Sequence, residues 1–116
     1  MTSPDELRTR TKKFALRVIR LFKSLPRTGE AQVIGRQLLR SGTSIGANYR
    51  AACRARSRAE FIAKLGMVVE EADESIYWIE LLGESGALSA SRLKELETEA
   101  HELTAIFTAA RQTSKG

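Results

Sequence analysis

The chain has little with which to hold a metal or cross-link itself: one cysteine, Cys53, and one histidine, His101, among 116 residues. A lone cysteine excludes an intrachain disulfide and any multi-cysteine metal site, and a lone histidine leaves zinc without its usual donors. The two prolines, Pro4 and Pro26, fall where a helix would start and where one would stop. No apolar run is long enough to span a bilayer, and no charged-then-apolar leader opens the chain, so the expected location is cytoplasmic. Strand-like alternation, internal repeats and low-complexity tracts are all missing. What remains is 42% hydrophobic and 28% charged, an ordinary composition for one domain spanning residues 1–116. A chain of this length buries roughly 60–70% of the surface that it exposes unfolded.

The net charge of +5 conceals an uneven distribution. Residues 1–58 hold 14 Lys and Arg against 3 Asp and Glu, whereas residues 59–116 hold 5 against 11. Asymmetry of this kind points to nucleic acid as a partner, or to one half of the chain neutralising the other. The plainer alternative is that the first two helices simply expose basic faces.

Four helices are predicted, over about residues 4–25, 29–54, 58–84 and 90–112. Ser3-Pro4-Asp5-Glu6 reads as a helix entrance, with serine as cap, proline at the first position and glutamate three after the serine. Leu7, Phe14, Val18, Leu21 and Leu25 share one face, which Ala15, Ile19 and Phe22 widen to an arc of roughly 160°. Lys13, Arg17, Arg20 and Lys23 fall opposite, and Pro26 ends the run. Thr28 and Glu30 open the second helix, whose apolar face is Ile34, Leu38, Ile45, Tyr49 and Ala52. Ser57 with Glu60 starts the third, where Phe61, Leu65, Val68, Ala72, Ile76 and Ile79 keep 3–4 spacing. Gly83-Glu84-Ser85-Gly86 is a turn, and Ser89 or Ser91 caps the fourth, with Leu93, Leu96, Ala100, Leu103, Phe107 and Ala110 inward. Fraying is expected from about Thr113. The fold class is therefore all-α, an antiparallel up-down four-helix bundle.

The segment from Ser41 to Ala47, SGTSIGA, is the test of that reading. A break there would present a Gly/Ser/Thr loop at a helix N-terminus, a backbone suited to anions. The apolar phase nevertheless passes through unbroken from Leu38 to Ile45, and no Walker lysine follows. A continuous helix is favoured, although each of Gly42 and Gly46 costs about 1 kcal/mol relative to alanine. On that reading Gly42, Ser44 and Gly46 let a neighbouring backbone come close. Arg36, Arg40, Arg50 and Arg54 then form one stripe opposite the apolar face, with no acid between them. Solvation accounts for most such arginines, but four in register without an acid is unusual on a surface that normally mixes signs. With Arg17 and Arg20 of the first helix they are the candidate nucleic-acid-binding residues. On the third helix a second seam, Met67, Glu71, Glu74, Trp78 and Leu81, interleaves apolar side chains with acids and is the candidate subunit interface. Stripe and seam, each turned from the core, are expected to face away from one another within a subunit and to meet only between subunits.

Catalytic chemistry finds no foothold. Glu70, Glu71, Asp73 and Glu74 belong to no Glu-x-x-His unit of the kind that builds di-metal bundles. Glu97 and His101 make a solvated i, i+4 pair. Cys53, with Arg50 and Arg54 near in sequence, reads as a small, partly buried residue, and no nucleophile–base–orienter set is visible. The reading is a non-enzyme without metal or cofactor.

Gln37-Leu-Leu-Arg-Ser-Gly-Thr-Ser-Ile-Gly-Ala-Asn48, then Ser57-x-x-Glu60-Phe61, then Glu71-Ala72-x-Glu74 and Trp78, resemble the small bacterial four helix bundle proteins. These include proteins encoded by intervening sequences in large-subunit ribosomal RNA genes, with the accessory variability determinant of diversity-generating retroelements as a relative. The resemblance spans nearly the whole chain. It implies a ring-like homo-oligomer, a pentamer, and by analogy with the retroelement relative it implies RNA or DNA and a reverse transcriptase as partners. Two departures stand out: Ala51 and Glu70 occupy positions where members commonly carry a glutamate and a lysine. The first leaves the arginine stripe more positive. The alternative to nucleic-acid binding is a structural or protein-interaction scaffold, its arginine stripe paired with acids of a neighbouring subunit.

Overall fold

Three of the four helices begin where a serine side chain takes up a backbone N–H that the first turn leaves without a partner. The Oγ atoms of Ser3, Ser57 and Ser89 accept from the N–H groups of Glu6, Glu60 and Arg92 at 3.1, 3.0 and 3.3 Å. The computed structural model describes residues 2–116, which form α1 (Pro4–Lys23), α2 (Gly29–Cys53), α3 (Arg58–Glu84) and α4 (Ala90–Lys115), with no strand among them. Thr28 stands at the cap of α2 but makes no side-chain cap bond. Glu60 does not close the expected box with Ser57; its carboxylate accepts from the Arg56 N–H at 2.8 Å instead.

Two helix ends depart from expectation. α1 stops at Lys23, before Pro26 intervenes, because the Ser24 N–H turns back to the Leu21 carbonyl at 3.0 Å. α4 continues through Lys115 instead of fraying at Thr113, and Arg58 Nε donates to the Ser114 carbonyl at 2.7 Å. Gly86, at φ 83°, supplies the left-handed turn that carries the chain from α3 into α4.

The close approach of α1 and α2 explains the glycines. α2 passes unbroken through Gly42 and Gly46. A Cβ on Gly42 would stand 2.9 Å from Val18 Cγ2, and one on Gly46 would stand 3.1 Å from Thr11 Oγ1. Gly35 extends the seam, with Leu25 Cδ1 2.3 Å from where its Cβ would be. Ser44 does not belong to it; its hydroxyl donates to the Arg40 carbonyl at 2.6 Å. Small residues also join α2 to α3, where the buried Ser41 and Ser75 hydroxyls meet at 2.9 Å and Ala72 is fully enclosed.

Successive helices reverse direction and pack as neighbours, α1 on α2, α2 on α3 and α3 on α4, while α1 meets α4 more lightly. The result measures 45 × 22 × 20 Å. Phe14, Leu38, Ile45, Leu65, Ile79, Leu103 and Phe107 form its centre. Burial of each such side chain stabilises the fold by roughly 1.5–3 kcal/mol before conformational entropy is set against it. Every fully buried side-chain polar atom among the described residues has a hydrogen-bond partner.

Candidate nucleic-acid interface

A helix shows two flanks as well as an inner and an outer face, and the flanks decide where the cations fall. Along the α1–α2 seam, Gly46 leaves a shallow groove of about 490 Å³, walled by Arg8, Thr9 and Lys12 of α1 and by Thr43, Ala47 and Arg50 of α2. Arg50 and Ala47 also line a second hollow of about 680 Å³, which runs on past Ala51 and Arg54 to Arg56, Glu60 and Lys64. Six cations therefore border one continuous surface across the first turns of α1, the last turns of α2 and the start of α3. Two acids lie beside it. Asp5 is paired with Arg8, and Glu60 is occupied with the Arg56 N–H.

Of the six arginines expected to act together, Arg50 and Arg54 lie on this surface, exposed and without an ion pair among the described residues. Arg36 is also exposed but sits 14 residues earlier on α2, roughly 21 Å away along the axis. Arg17 and Arg20 lie on the other flank of α1. There they line grooves against α4 with Lys94, Glu95, Glu99 and Glu102 beside Arg17, and with Arg92 and Glu95 beside both. Arg8 and Lys12 also belong to the surface and are not among the expected residues, because which flank of α1 adjoins α2 depends on the handedness of the fold. Arg56, in the α2–α3 connection, and Lys64, on α3, lie outside the two helices from which that set is drawn.

Arg40 overturns the expectation that stripe and seam meet only between subunits. Its guanidinium pairs with Glu74, and with Glu71 Oε2 at 3.3 Å, across the α2–α3 groove of the same chain. The bond to Glu74, ahead of the charge of Glu71, raises the Arg40 pKa above its ordinary value. Trp78 Nε1 donates to the same Glu74 carboxylate at 3.2 Å. The seam residues thus lie on one flank of α3, Met67 exposed and Glu71, Glu74, Trp78 and Leu81 half-buried.

The remaining reactive groups are scattered. Cys53 is exposed, not partly buried as expected. Its sulfur lies by Tyr49, whose phenol is pushed up to about 12, first by burial and then by that thiol. The Tyr49 ring rests on Phe107 with centroids 5.0 Å apart, which makes it a core residue. His101 stands 3.9 Å from Glu97 and, with Glu80 of α3, brings three donor atoms within 4.8 Å. That trio is open to solvent, offers no fourth protein donor, and is what hydrated surface groups commonly form. None of these assembles a nucleophile, a base and an orienting group. Among the described residues, no helix is long and apolar enough to cross a membrane.

The geometry defines an all-α protein of four packed helices with a cationic surface at one end. The chain belongs to the 23S rRNA-intervening sequence protein family, whose model matches residues 6–109. It is also similar to a protein with unknown function from the S23 ribosomal protein family of Bacteroides thetaiotaomicron VPI-5482, known from a crystal structure at 1.70 Å resolution. The two are 34% identical and superpose with a TM-score of 0.87, over 94% of this chain and 97% of that one. No curated protein matches the chain. Neither description names an enzymatic activity.

Proposed function

We propose that this protein is a non-catalytic, self-associating four-helix bundle of the cytoplasm that binds nucleic acid through the cationic end of α1, α2 and α3. The observation that carries this reading is the contrast between two sets of arginines. Arg40, Arg10 and Arg8 each have carboxylates of their own chain, whereas Arg50 and Arg54 border a groove with none bound to them. Cations left free in register suit phosphates, which contribute most of non-specific affinity. The family description, which ties these proteins to ribosomal RNA genes, agrees with RNA as a natural ligand. The scaffold alternative has less support, because Glu71 and Glu74, the acids it needs between subunits, already hold Arg40.

Fluorescence anisotropy on a labelled RNA, titrated with salt, tests the reading. Replacing Arg50 and Arg54 by glutamate is expected to remove most of the binding and to reduce the log–log salt slope by about 1.8, two duplex phosphate contacts at about 0.9 each. Arg17→Glu with Arg20→Glu, on the α4 flank, should change affinity far less. Equal losses in the two double variants, or none in the first, would refute the assignment of the surface.

A further inference from the structure

Resting on the reading above, we infer that the ligand of the cationic surface is a double helix, held by its backbone alone, in preference to a single strand. Single-strand binders combine a positive groove with aromatic side chains on which successive bases stack. This surface has the first element and lacks the second. Between Arg8, Lys12, Arg50, Arg54, Arg56 and Lys64 the lining is alanine, threonine, glycine and Glu60, with no aromatic ring. Of the rings that are not fully buried, Tyr77 lines the α3–α4 groove beside Glu80 and His101, Trp78 is bonded to Glu74, and Phe22 and Phe61 pack against the core. Tyr49, the aromatic residue one position from Arg50, points into the core and is buried.

Charge density then decides between the two forms. The six cations are spread over three adjacent helices whose axes lie about 8–10 Å apart, so they form a broad patch and not a track. A duplex presents its charges more densely along its axis than a lone strand does, about one per 1.7 Å in B-form DNA, and there releases about 0.9 counterions per contact against about 0.7 for a single strand. If about four of these cations meet phosphates and the two forms bind equally at 1 M salt, that difference favours the duplex by about tenfold at 50 mM salt, with no stacking to compensate. Discrimination between base sequences is absent for the same reason, since phosphate contacts fix position and carry no sequence information.

The test is anisotropy with the intact protein on a 20-nucleotide RNA, as a single strand without internal pairing and as the matched duplex, between 50 and 300 mM salt. The duplex is expected to bind about tenfold more tightly at the lowest salt and with the steeper slope. A single strand bound as tightly or more tightly would overturn the inference while leaving nucleic-acid binding intact. If neither binds, nucleic-acid binding itself falls, and this inference with it. Ala47→Trp supplies a positive control, because Ala47 is exposed on the groove floor. The added ring should raise single-strand affinity on the order of tenfold and close the gap. A gap unchanged in that variant, with helix content intact by circular dichroism, would also count against the inference, since the missing ring would not then explain the preference.

Discussion

Gly42 and Gly66 show how the same residue type does different work on two helices. At Gly42 an added methyl meets Val18, whose Cγ2 and Cγ1 would lie at 2.9 and 3.2 Å. Val18 is fully buried and stiff about χ1, so it has nowhere to turn and α1 must move. Overpacking of this kind costs about 1–3 kcal/mol and outweighs the roughly 1 kcal/mol that alanine gains in helix propensity. At Gly66 the methyl meets the guanidinium of Arg111 at 3.1 Å, the far end of a flexible side chain. Its swing sacrifices a 3.3 Å bond from Arg111 Nε to the Ile62 carbonyl, which offsets only part of the propensity gain. Urea denaturation followed by helical circular dichroism should therefore place Gly42→Ala below the parent by about 1 kcal/mol and Gly66→Ala level with it or slightly above. The reverse order would mean that the α1–α2 contact is not set by these glycines. In the sequence, the unbroken apolar phase identified Gly42 and Gly46 as contact points, because periodicity survives a small residue. Gly35 gave no such sign: it lies in a stretch with no competing break, and only the position of Leu25 across the seam reveals its role.

At the level of helices, what was legible follows from local rules and what was not follows from handedness. The all-α class and the capping serines Ser3, Ser57 and Ser89 depend on spacing within a few residues, and spacing is written in the sequence. Whether a neighbour lies to the left or right of α1 depends on how four helices wind around one another, and a one-dimensional period carries no record of it. Arg17 and Arg20 fall with the α2 arginines on sequence pattern for that reason, yet they lie against α4. Arg40 illustrates a second limit. A guanidinium on a long stem reaches sideways from an outward-facing backbone position, so a stripe drawn from Cα angles misplaces the charge. The same light α1–α4 seam carries Arg10, whose Nε and Nη2 grip the two oxygens of Glu99 at 3.0 and 2.5 Å, with Glu102 at 3.3 Å. Paired and half-buried, this fork joins helices that share little other surface. Arg10→Met keeps the stem and removes the charge. It is expected to cost about 1–2 kcal/mol, more than an exposed pair would. Hydrogen exchange should locate the loss, with faster exchange in α1 and little change along the α2–α3 contact. Uniform loosening of all four helices would argue that the pair holds no particular element.

For the molecule as a whole, the pairing of Arg40 with Glu71 and Glu74 changes what the α2–α3 flank is suited to. Its charges are already balanced, which leaves its apolar side chains as its main feature. Val33 lies two turns before Arg40 on the same side of α2 and is 59% exposed; on α3 Met67 is 44% exposed, and Trp78 and Leu81, beyond Glu71 and Glu74, are half-buried. A surface with few unpaired charges, an aromatic residue and a methionine has the composition of an interface core. A second copy of the chain is the occupant proposed, and contact between unlike patches closes into a ring when the rotation between copies allows it. The pentamer implied by the family resemblance is one such closure. Size-exclusion chromatography with light scattering at micromolar concentration should then give a mass of two or more whole chains of 12.9 kDa. Val33→Glu with Leu81→Glu places unpaired acids in the apolar flank without touching Arg50 or Arg54, and it is expected to yield the single-chain mass with helix content unchanged. Its salt slope for RNA should also fall, because fewer cationic ends act on one ligand at once. A parent protein that runs at 12.9 kDa would end the self-association proposal. A double variant that stays assembled would move the interface away from this flank.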